Sequence, residues 1–455
     1  MNLSDHRHIA RIAVPVSLEM TFQLLLNFGV QLVVGVLGTL ALAAVGLVNS
    51  LVVVGMVSLS TIGAAAAILA ARAHGARSPQ AVARVATTAG VLAFLFTLTL
   101  CLPAAFFAQP LLLGLGATAE IAATGARYFQ LTVLALPFMV HASVTSGVFR
   151  SLGQARIPMQ VSIFAVLFNG LLAYALVVGL GPLPVLGLGG AALASLIAQG
   201  LRAALLFWLL HLRPGRVPLS WSRSLTTWRQ AAGQLLTLAF PLAMTQLSWS
   251  AGAFLYALLF ARLSVSALAA SQIVLSLEGV FIVASYGLMS ASTTLIGHAV
   301  GQGDHRRAQD WSVILQRVGM ATGLGFGVLF MASAYLLPHL YPNISPATLQ
   351  VAFWGIVINA AFQVVKVRNM ILGGGVLPSG GDARGVVIGD LIGPFVVGLP
   401  LAYLLGFTLE LGVWGVFWGR IADEVAKASF FTWRVRRLRW QALTAPRATV
   451  TQQAA

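Results

Sequence analysis

Residues 1–212 are echoed by residues 227–433 at a nearly constant offset, and the echo runs through stretches apolar enough to cross a bilayer. Pro15 answers Pro241, Leu42-Ala43-Ala44 answers Leu268-Ala269-Ala270, Ser50-Leu51 answers Ser276-Leu277 and Gly75 answers Gly301, each 226 residues further on. Later the step becomes 228, and Gly147, Val148, Ser151, Gly153, Ala155 and Arg156 recur as Gly375, Val376, Ser379, Gly381, Ala383 and Arg384. Loop residues match as well as apolar ones, so the echo is a duplication and not shared composition. Two packed copies of one bundle leave a cleft between them, an architecture by which carriers alternate access to a central site.

With 58% hydrophobic and 8% charged residues in 455, too little polar surface remains to solvate a globular domain. The bilayer is the solvent. About twelve apolar segments of about 20 residues can be counted, six in each copy. They fall near 12–36, 44–70, 85–107, 121–149, 158–178 and 190–210, then 235–261, 267–295, 312–337, 349–372, 386–405 and 412–433. An even number of crossings returns each half to its starting side. The expected fold is therefore an all-α polytopic membrane protein of two six-helix lobes, related by a pseudo-two-fold along the membrane normal. The expected organisation is an N-lobe at 1–212, a linker at 213–233, a C-lobe at 234–440 and a disordered polar tail at 441–455.

A net charge of +16 would suggest nucleic acid in a soluble chain, but here the charge follows topology. Arg7 and Arg11, Arg72 and Arg77, Arg150 and Arg156, Arg213 to Arg229, Arg306 and Arg307, Arg384, and Arg434 to Arg439 occupy alternate loops. The opposite loops, at 181–187 and 338–346, carry almost no basic residue. This is the positive-inside pattern: it places both termini in the cytoplasm and excludes nucleic acid as a partner. Cys101 is alone, so neither an intramolecular disulfide nor a cysteine metal cluster can form. Without HExxH, a Walker loop or paired cysteines the chain does not read as an enzyme, and no cofactor or metal is expected beyond a coupling ion.

The segment from Gly287 to Ala308, its partner through Gly75, and residues 147–158 followed by Asn169 resemble the multidrug and toxic compound extrusion (MATE) transporters, bacterial type. The resemblance covers nearly the whole chain. Arg150, Gly153, Gln154, Arg156 and Pro158 match that family's loop between its fourth and fifth helices, and residues 373–384 resemble the corresponding second-lobe loop. Arg150, Gly153, Arg156, Gly381, Asp382 and Arg384 are therefore expected to be gating or structural loop residues. The resemblance implies ion-driven export of organic, often cationic, compounds.

Most of the eleven Asp and Glu are expected in loops, which makes those at membrane depth informative. Glu278 is the clearest, and Ser271, Glu278, Ser285 and Ser292 recur every seven residues on one stripe. That stripe should face the cleft or a neighbouring helix of the lobe. Asp390 opens the eleventh span ahead of Pro394, which frees a backbone carbonyl. The repeat mates of Glu278 and Asp390 are the uncharged Val52 and Ser162. Both are the expected ion-coupling residues, with structural hydrogen bonding the alternative.

In the first helix Glu19, Gln23, Asn27 and Gln31 form a polar ladder, either lining the cleft or bonding to adjacent helices. Candidate substrate contacts are Asn27, Gln31, Asn169, Gln246, Trp249 and Tyr256. Val30 and Ala173 stand where members of the family carry first-lobe carboxylates, which directs the coupling expectation to the second lobe.

The expected function is that of a secondary antiporter that exports organic, cationic, drug-like molecules in exchange for H⁺ or Na⁺ and works as a monomer. One alternative is a lipid-linked saccharide flippase of the wider superfamily, which would favour a cleft rich in Arg and Lys. Another is a non-transporting membrane scaffold.

Overall fold

The structure is a computed structural model that describes residues 3–35, 39–179, 184–213, 217–220 and 225–441. Every regular element among them is helical, as a lipid environment requires, since a helix satisfies its own backbone polar groups. The long helices are α1 (Leu3–Gly35), α2 (Thr39–Gly75), α3 (Pro79–Phe106), α4 (Ala119–Ser151), α5 (Arg156–Val178) and α6 (Gly187–Phe207). In the second copy they are α7 (Leu225–Leu263), α8 (Val265–Gly301) and α9 (His305–Ser333). After these come α10, whose halves Pro346–Ala361 and Gln363–Ser379 meet at 51°, α11 (Ala383–Thr408) and α12 (Gly412–Arg436).

Nine helices among the described residues, or ten counting bent α10 as one, are long and apolar enough to cross a membrane. The count falls short of about twelve spans of bilayer length for identifiable reasons. In α1 the side chains from residue 26 to 35 lie outside the described residues. The last helix, α12, carries Arg420, Asp423, Glu424 and Lys427 in consecutive turns. Such a segment is costly in lipid unless its charges are paired inside the protein.

The duplication is written into the backbone. Ser78 caps α3 by accepting from Ala81 N–H, and Asp304, 226 residues on, caps α9 by accepting from Arg307 N–H. The left-handed Gly153 (φ +73°) before α5 has its counterpart in Gly381 (φ +80°) before α11, and Gly187 (φ +52°) in Gly412 (φ +58°). These positions need a residue without a Cβ penalty at positive φ. Arg77 takes the same conformation (φ 52°) where its repeat mate is Gly303.

The chain packs as two compact units: an amino-terminal unit, Leu18–Ala70 with Ser78–Phe240, and a carboxy-terminal unit, Met1–Ser17, Ala71–Arg77 and Pro241–Ala455. The first is built on Val45, Val48, Phe129, Val133 and Leu136, the second on Phe260, Phe330, Ile356 and Phe417. Large apolar side chains such as Phe106, Leu171, Phe240 and Val265 are exposed, an arrangement suited to acyl chains and not to water.

Within the carboxy-terminal unit the ends of α2 and α8 cross in a reciprocal way. The Cα hydrogens of Gly75 and Gly301 face the backbone of His298 and Arg72, respectively, and Gly297 faces Ala71. Arg72 and His298, Gly75 and Gly301, and Ala71 and Gly297 are all repeat mates at a step of 226. When residue i meets j and the mate of j meets the mate of i, the contact is isologous and carries a local two-fold. The Gly287-to-Ala308 segment singled out in sequence thus supplies the glycines of a close helix crossing.

Candidate functional site

The carboxy-terminal unit buries a connected set of charges on α8, α10, α11 and α12. Lys366 Nζ donates to Glu278 Oε1 at 2.5 Å and to Asn359 Oδ1 at 2.7 Å. The second carboxylate oxygen of Glu278 accepts from Arg420 Nη2 at 3.3 Å. About two turns along α12, Lys427 Nζ donates to Glu424 Oε1 at 2.8 Å and lies 3.2 Å from Asp423 Oδ1. Asn369 Nδ2 donates to both the backbone and the side chain of Glu424 at 2.8 Å, and Tyr256 O–H reaches Asp423 Oδ2 at 3.5 Å. Asp390 neighbours Thr245 of α7 and lies within electrostatic reach of Lys427, which is bridged to Asp423 and Glu424.

Local backbone makes room for this cluster. Pro394 cannot donate a helix hydrogen bond, and the residues Ile392–Gly398 around it form a π-helical stretch two residues past Asp390, a widening that recurs at functional sites. A Cβ at Gly393 would run into Asp423 and Lys427, and one at Gly398 into the Tyr256 hydroxyl. Four carboxylates (Glu278, Asp390, Asp423, Glu424) face three cations (Lys366, Arg420, Lys427). Among the described residues the cluster therefore carries one more carboxylate than cation.

The amino-terminal unit has a smaller site of opposite balance. Glu19, with no exposed surface, accepts from Arg150 Nη2 at 2.9 Å, Arg202 Nη2 at 3.2 Å and Ser162 Oγ at 2.7 Å. One carboxylate there meets two guanidiniums.

Of the expected coupling residues, Glu278 is buried and held on both oxygens, while Asp390 is half-buried. The seven-residue stripe faces the lobe interior, for Ser271, Ser285 and Ser292 are all buried. Ser292 packs where Gly375 of α10 leaves space. Tyr256 joins the acid network, whereas Trp249 is exposed and Gln246 half-buried. Asn169 Oδ1 accepts from Ser195 Oγ at 3.4 Å, and the side chains of Asn27 and Gln31 lie outside the described residues. Among the loop residues, Asp382 caps α11 and binds Arg434 through both oxygens at 2.6 and 2.7 Å, while Arg156 and Arg384 are exposed. Arg150 lies at the end of α4 but turns inward to Glu19.

Asp423, Glu424 and Lys427 escaped the sequence reading because the acids were expected mostly in loops, and these two sit inside a membrane helix. A signal existed. At a step of 225, which carries Gly187 to Gly412 and Trp208 to Trp433, Lys427 is the mate of Arg202.

The MatE family model matches residues 15–175 and 241–404, one match in each copy. The multidrug resistance protein NorM of Burkholderia vietnamiensis is 27% identical over 453 residues, covering 98% of this chain and 97% of its own length. The probable multidrug resistance protein NorM of Burkholderia pseudomallei is 29% identical over 437 residues, covering 94% and 92%. Among solved structures, an outward-facing multidrug resistance MATE family transporter of the MOP superfamily superimposes with a TM-score of 0.86 over 96% of both chains at 22% identity. A MOP superfamily transporter from Pyrococcus furiosus gives 0.85 at the same coverage and identity. The likeness to solved structures supports the twelve-helix fold, and with a family model that matches both halves of the duplication at the repeat step of 226, the chain belongs to the MatE family.

Proposed function

We propose that the protein is a secondary active antiporter that exports organic cations in exchange for H⁺ or Na⁺, with the exchanged ion held in the carboxy-terminal acid network. The observation that carries this reading is the imbalance of four carboxylates over three cations in that network. A single unbalanced charge in a low-dielectric interior attracts one monovalent cation and not two. A proton, Na⁺ or the cationic head of a substrate each restores neutrality, and occupancy by one excludes another. Exchange then follows from competition for one charge, with Glu278 and Asp390 at the two ends of the network. The names of the relatives, multidrug resistance proteins, support drug-like organic substrates. The alternation of basic loops supports a multi-pass inner-membrane placement with both termini in the cytoplasm, and one chain carries the whole network, which supports action as a monomer without a chemical step.

A carrier of lipid-linked pyrophosphate would need cations free to grip the phosphates. Lys366, Arg420 and Arg202 are instead engaged with carboxylates, which favours the cation exporter. The test is uptake of a fluorescent cation into vesicles containing purified protein, with a proton or Na⁺ gradient imposed separately. Flux that follows neither gradient would sink the antiport reading.

A further inference from the structure

The basic cluster at the end of α12 is not uniformly engaged. Arg434 is committed to Asp382, and Arg437 stacks over the Trp433 ring at 4.3 Å. Arg436 and Arg368 instead line one cavity of about 350 Å³ between α10 and α12, together with Val365, Val425, Ser429 and Trp433. No carboxylate lines that cavity, and neither arginine forms an ion pair among the described residues; Arg368 has only a 3.3 Å hydrogen bond to Gln316 Oε1. Two guanidiniums with unspent donors lining one cavity call for an anion with several oxygens, and guanidinium matches phosphate geometry well.

The floor of the cavity points to what carries that phosphate. Val425, Ser429, Trp433 and Arg436 follow one another at helical spacing on one face of α12, and Val425 and Trp433 are 41% and 43% exposed. From Val425 to Arg436 the helix rises about 16 Å, close to the thickness of one leaflet, about 15 Å of hydrocarbon. The charged mouth is at the helix end, beside a tryptophan of the kind that sits at the headgroup level. An apolar groove one leaflet long, capped by unpaired cations, suits a lipid, and basic pockets between spans favour acidic headgroups.

We propose that the groove between α10 and α12 holds one acidic phospholipid, its phosphate between Arg368 and Arg436 and an acyl chain along Val365, Val425 and Trp433. The site lies outside the acid network and does not rest on the antiport reading. Delipidated full-length protein in neutral detergent, titrated with phosphatidylglycerol or phosphatidylcholine and read by native mass spectrometry, tests it. Phosphatidylglycerol should be retained in preference, with affinity falling about five-fold in Arg436→Gln and about thirty-fold in Arg368→Gln/Arg436→Gln. Because Arg436 is exposed, its replacement leaves the fold intact, and the double Arg→Lys variant should keep most of the preference. Equal retention of the two lipids, or undiminished phosphatidylglycerol binding in the double Gln variant, would overturn the proposal. So would displacement of the lipid by millimolar inorganic phosphate, which would make this a site for a soluble anion.

Discussion

Ser162 donates to Glu19 at 2.7 Å in the amino-terminal unit, and the mates of this pair, Asp390 and Thr245, are neighbours in the carboxy-terminal unit with acid and hydroxyl exchanged, although Thr245 Oγ1 makes no hydrogen bond among the described residues. The basic member is kept, Arg202 in one copy and Lys427 in the other. One ancestral arrangement of acid, hydroxyl and cation has thus been built twice, with the acid on α1 in the first copy and on α11 in the second. What differs is the surplus: Arg150 is added beside Glu19, whereas Asp423 and Glu424 are added beside Asp390. The first site is over-neutralised and the second under-neutralised.

The first site should therefore be structural. Glu19→Gln leaves two guanidiniums facing each other in a buried place, and breaking such a cluster costs about 3–5 kcal/mol. Thermal unfolding in detergent should show a marked loss of stability, while flux per folded molecule changes little. An unchanged melting temperature with lost flux would move the exchange site to the first helix.

The second site should be where the gradient acts. Glu278→Gln should lower gradient-driven flux by about ten-fold or more, since selection there rests on charge, and Asp390→Asn should lower it less. Glu278→Gln also strands Lys366, so Lys366→Met in that background should restore stability without restoring flux. Normal ion-driven uptake by the Glu278→Gln protein in vesicles would remove Glu278 from the exchange.

Reciprocal glycine contacts between α2 and α8 predict a strong positional effect. Gly301→Ala places a methyl against the Arg72 carbonyl and Ala76 N, an overpacking that costs about 1–3 kcal/mol. Gly325→Ala, which meets nothing within 4 Å, should instead gain about 0.5–1 kcal/mol from helix propensity. Comparing the two melting temperatures checks the crossing, and equal effects would contradict it.

Loop charge predicts sidedness. In a Cys101→Ser background, an impermeant maleimide added to intact cells should label a cysteine at Asn343 and leave one at Arg306 untouched until the membrane is opened. Cys101 itself is buried, which shields it from the reagent. Labelling of position 306 alone in intact cells would invert the topology; positions 183 and 216, suited to the same test, lie outside the described residues.

The duplication, the apolar spans and the family were all legible in the chain, because each rests on local composition or on a fixed offset. Glu278 and Asp390 were legible for a related reason: an acid inside an apolar run stands out without any partner being known. Their partners were not. Lys366 lies 88 residues from Glu278, Arg420 lies 142 from it, and Arg202 lies 183 from Glu19, and nothing in a helical period specifies which faces of distant helices turn toward each other. The same holds for Arg150, expected to be a gating or structural loop residue, whose partner Glu19 lies 131 residues away. Packing also decided that Tyr256 serves an acid and that four charges on α12 can sit inside a span. A buried charge is tolerated only where the assembled bundle supplies its counter-charge, and that supply exists only once the helices are packed.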